Sequence, residues 1–120
     1  MKKEELILEL KKIKPIKIYN TIPDYQSSGF LYDDSTDKDY ITDTYLKNRL
    51  RFRFHLKVFD DFITSDYIEF FINSETTDTI EEAYESLADK ILALSTCFNI
   101  VIMNKVFEYI KYAVYSSSKC

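Results

Sequence analysis

The chain has 120 residues, of which 46 % are hydrophobic and 16 % aromatic, and its formal net charge is −4. That length and apolar content suit a single packed domain over residues 1–120 rather than a disordered chain, with Ser116–Lys119 as a short tail. The charge is too mild to suggest polyanion mimicry or general nucleic-acid affinity, and a single Gly excludes the glycine-rich loops that cradle nucleotide phosphates.

Residues 3–13 read as a short helix, because Leu6, Leu10 and Ile13 recur at helical spacing with Ile7 widening the stripe. Glu9, Lys11 and Lys12 interrupt the apolar run that a signal peptide needs, and no stretch approaches the ~20 apolar residues of a membrane span. The expected setting is therefore the cytoplasm of the cell that makes the chain. The two cysteines, Cys97 and Cys120, fit that reduced compartment. Pro15 ends the helix. Ile16–Tyr19 reads as a short alternating strand, Pro23-Asp24 as a break, Ser28-Gly29 as a turn, and Phe30–Tyr32 as a further short strand.

Asp33–Asp43 is polar and acidic and reads as an exposed loop. Its Asp33, Ser35, Asp37 and Asp39 have the opening spacing of a calcium loop. Lys38 stands where that loop needs glycine, and Thr44 where it needs a bidentate Glu, so no metal is expected.

Arg49–Val58 alternates strictly between apolar and polar for ten residues, the pattern of a strand with one buried face. Leu50, Phe52, Phe54, Leu56 and Val58 should face the core. Arg49, Arg51, Arg53 and Lys57 line the other side with His55. Tyr67–Ile72 returns as an antiparallel partner after the turn residues Asp60-Asp61 and Thr64–Asp66.

Thr79 and Glu82 fit a capping box opening a helix over 79–96, with Ile80, Ala83, Tyr84, Leu87, Ile91 and Leu94 as its buried stripe. Cys97 follows amid apolar neighbours and reads as a small core residue. Asn99–Met103 and Val106–Tyr115 read as two closing strands turning at Asn104-Lys105. A continued helix also fits Ile100, Met103, Phe107, Ile110 and Val114. The expected class is α+β: a mainly antiparallel sheet with an N-terminal helix and one longer helix packed on one face.

Chemistry is thinly represented. His55 is the only histidine and has no evident nucleophile to serve, so it reads as a solvated strand residue. One His and two Cys cannot complete a zinc quartet. The acid pairs Asp60-Asp61 and Glu81-Glu82 suit a turn and a helix's first turn. No enzymatic activity, cofactor or small-molecule ligand is expected.

The cationic row remains. All three arginines of the chain lie on it, and side chains two apart on a strand repel unless something anionic covers them. Acids of neighbouring strands, such as Glu69 or Glu108, are one cover. The acidic surface of a partner protein is another, since Arg is favoured at interfaces. Nucleic acid fits less well, because Phe52 and Phe54 point to the opposite face and offer no stacking beside the arginines. Arg49, Arg51, Arg53 and Lys57 are thus the candidate interaction residues.

The order of elements resembles that of small tailed-phage tail terminator and tail completion proteins. The matching features are a short amphipathic helix, a strand ending near a proline (Ile16–Pro23), a long alternating strand (Arg49–Val58), a helix (Thr79–Thr96) and closing strands. The resemblance implies a non-enzymatic virion component that self-assembles into a ring or joins phage structural neighbours at a head–tail or tail interface. An alternative of another class is a small phage-encoded module that binds and inhibits a host protein of an anti-phage defence.

Overall fold

The computed structural model describes residues 1–16, 30–33, 35, 38–39, 44–45, 48–57 and 67–118. Its elements are α1 (Lys3–Lys12), β1 (Phe30–Asp33), β2 (Lys38–Asp39), β3 (Thr44–Tyr45), β4 (Leu50–Lys57), β5 (Tyr67–Asn73), α2 (Ile80–Leu92), a 3₁₀ turn (Ala93–Thr96) and α3 (Ile100–Ser118). This is an α+β fold. The main sheet is antiparallel in the order β1-β4-β5, and β2 pairs with β3 apart from it.

The ten-residue alternation yields the central strand. Leu50, Phe52 and Phe54 are fully buried and join the core with Leu31 of β1. Phe54 stacks on Phe70 of β5 at 5.0 Å between ring centroids, within the range that favours aromatic pairs. Val58 lies outside the described residues, as do the turn residues between β4 and β5.

The helices cover that same face. Leu6 and Leu10 of α1, Ala83, Leu87 and Ile91 of α2, and Val106 and Ile110 of α3 belong to the same core. Salt bridges from Lys3 to Asp89 and from Lys11 to Glu81 tie opposite ends of α1 and α2, so these two helices run antiparallel. Glu4 and Glu5 open α1 while Lys11 and Lys12 close it, each pair complementing the helix dipole. Half of the expected capping box forms: Thr79 Oγ1 accepts from the Glu82 N–H at 3.2 Å, while Glu82 Oε1 accepts from the Thr79 hydroxyl, at 2.9 Å, in place of its backbone N–H. Ile80 of the expected stripe lies at the helix edge and is exposed.

Three expectations are corrected. The closing strands expected over 99–103 and 106–115 are one helix, α3, which also takes in Ser116–Ser118 of the expected tail. Asn99 supplies its cap, accepting from the Ile102 N–H at 3.0 Å. Met103, Val106, Ile110 and Ala113 recur on one side and are buried there, a benefit that outweighs the strand preference of Ile100-Val101-Ile102. Cys97, expected in the core, is exposed. The 3₁₀ turn rotates the chain so that Leu94 and Phe98 pack inward instead. The acidic segment Asp33–Asp43, expected as a loop, carries the short β2, which pairs with β3 just beyond it. Of the expected strand at 16–19 only Ile16 is described, bridging to Tyr32 in parallel; Lys17–Tyr19, Pro23-Asp24, Ser28-Gly29 and Cys120 lie outside the described residues.

Candidate interaction surfaces

The odd positions of β4 face away from the helices, as the alternation requires. Register sets Arg51 between Tyr32 and Asn73, and Arg53 between Phe30 and Phe71. His55 stands opposite Glu69 and Lys57 opposite Tyr67. The three arginines of the row are not fully exposed. Arg53 is only 5 % exposed and Tyr32 beside it is buried, while Arg49 and Arg51 are half-buried. The Arg51 guanidinium lies over the Phe71 ring at 5.4 Å, within cation–π range. Arg49, Arg51 and Arg53 are each engaged within the chain, as charges withdrawn from water must be.

Glu108, expected on a neighbouring strand, is instead on the exposed side of α3. It belongs to the helical layer and so lies across the sheet from the arginines. Alternation revealed which residues share the arginine face. It gave no signal that Arg53 is buried, because burial depends on contacts distant in sequence.

Asp33 accepts a hydrogen bond from the Ser35 N–H at 2.9 Å, a local turn contact. Among the described residues no three His, Cys, Asp or Glu side chains come together as a metal site. No described helix is long and apolar enough to cross a membrane.

Tyr84 of α2 is the one described group whose ionisation is clearly displaced. Burial raises its pKa above the ordinary 10.0, and the negative charges of Asp33 and Glu81 add to the effect. Lys11 lies 5.8 Å over the same ring while pairing with Glu81. These residues join α1, α2 and the end of β1, and the arrangement is one of packing and charge balance.

The surface that sequence reasoning missed is the outer side of α3. Ile100, Val101, Tyr112 and Tyr115 are 71 %, 60 %, 53 % and 56 % exposed. At 3.6 residues per turn they share one side of the helix with Asn104, Glu108 and Lys111, and the stripe runs ~22 Å at 1.5 Å per residue. The usable signal was the helical alternative for 99–115, but its stripe of Ile100, Met103, Phe107, Ile110 and Val114 set Ile100 inward, whereas the buried side is that of Met103, Val106, Ile110 and Ala113.

No family model, curated protein or solved structure matches this chain. Its surfaces are read from their own geometry.

Proposed function

We propose that the chain is a non-enzymatic assembly subunit acting through protein–protein contacts, a phage-type structural component working in the host cytoplasm and the virion. The observation that carries the contact reading is the outer side of α3. Ile100 and Val101 at one end of that side and Tyr112 toward the other are more than half exposed, and tyrosine is enriched where proteins meet. Glu108 and Lys111 between the two apolar ends give the surface polar contacts that fix orientation.

The placement at a head–tail or tail interface rests on the resemblance in element order. That support comes from α1, the long alternating β4 and α2. It does not come from the closing segment, which is helical where the resemblance implies strands.

Mass photometry of the chain, alone and mixed with tail or neck proteins, tests the reading. Rings or mixed complexes are expected, and Ile100→Glu combined with Tyr112→Glu should dissolve them. A chain that stays monomeric with every such partner present refutes it.

A further inference from the structure

No further inference is drawn: the strongest candidate, the outer side of α3 around Val101, Glu108 and Tyr112, belongs to the contact surface already described, and nothing in the structure shows what covers it.

Discussion

Ile110→Ala and Ile100→Ala remove the same atoms from one helix and should have very different consequences. Ile110 is fully buried, whereas Ile100 is 71 % exposed. Truncating a buried isoleucine costs ~2–5 kcal/mol, the transfer term plus the cavity left behind. A central value near 3 kcal/mol suits Ile110, which is enclosed in the core with Val106 and Ala113. Ile100 retains about three tenths of its burial, worth ~0.5–0.9 kcal/mol on the ~1.5–3 kcal/mol of a full side chain. The higher helix propensity of alanine returns ~0.4 kcal/mol of that. The difference between the variants is therefore ~2–3 kcal/mol. With a urea m-value of ~2 kcal/mol/M it separates their unfolding midpoints by ~1–1.5 M. Far-ultraviolet circular dichroism, at protein dilute enough for the chain to be monomeric, measures this directly. Midpoints within ~0.3 M of each other would refute the placement of these residues on α3.

Thr79→Ala removes the acceptor for the Glu82 N–H and should cost ~1 kcal/mol in the same urea experiment; Thr79→Ser should recover most of it. Tyr84 sets an alkaline limit. Its folded pKa is raised above 10.0, so the unfolded chain releases this proton first. The stabilisation is fully present below pH 10.0 and is lost as pH climbs through the higher folded value. Urea midpoints from about pH 8 to about pH 11 should fall less steeply for Tyr84→Phe than for the parent, and parallel curves would discount the effect.

What could be read in the sequence followed from how local each signal was. β4 was legible because ten consecutive residues obey one period, and α2 because Thr79 and Glu82 mark its start while Ala83, Leu87 and Ile91 repeat behind them. α3 was ambiguous because Ile100-Val101-Ile102 has the composition of a strand; only the burial of Met103, Val106, Ile110 and Ala113 against the rest of the fold decides for a helix. The two-residue strands β2 and β3 carry no pattern at all. Of the candidate site, the sharing of one face by the arginines was legible. The enclosure of Arg53 was not, since burial of a second sheet face is a tertiary property.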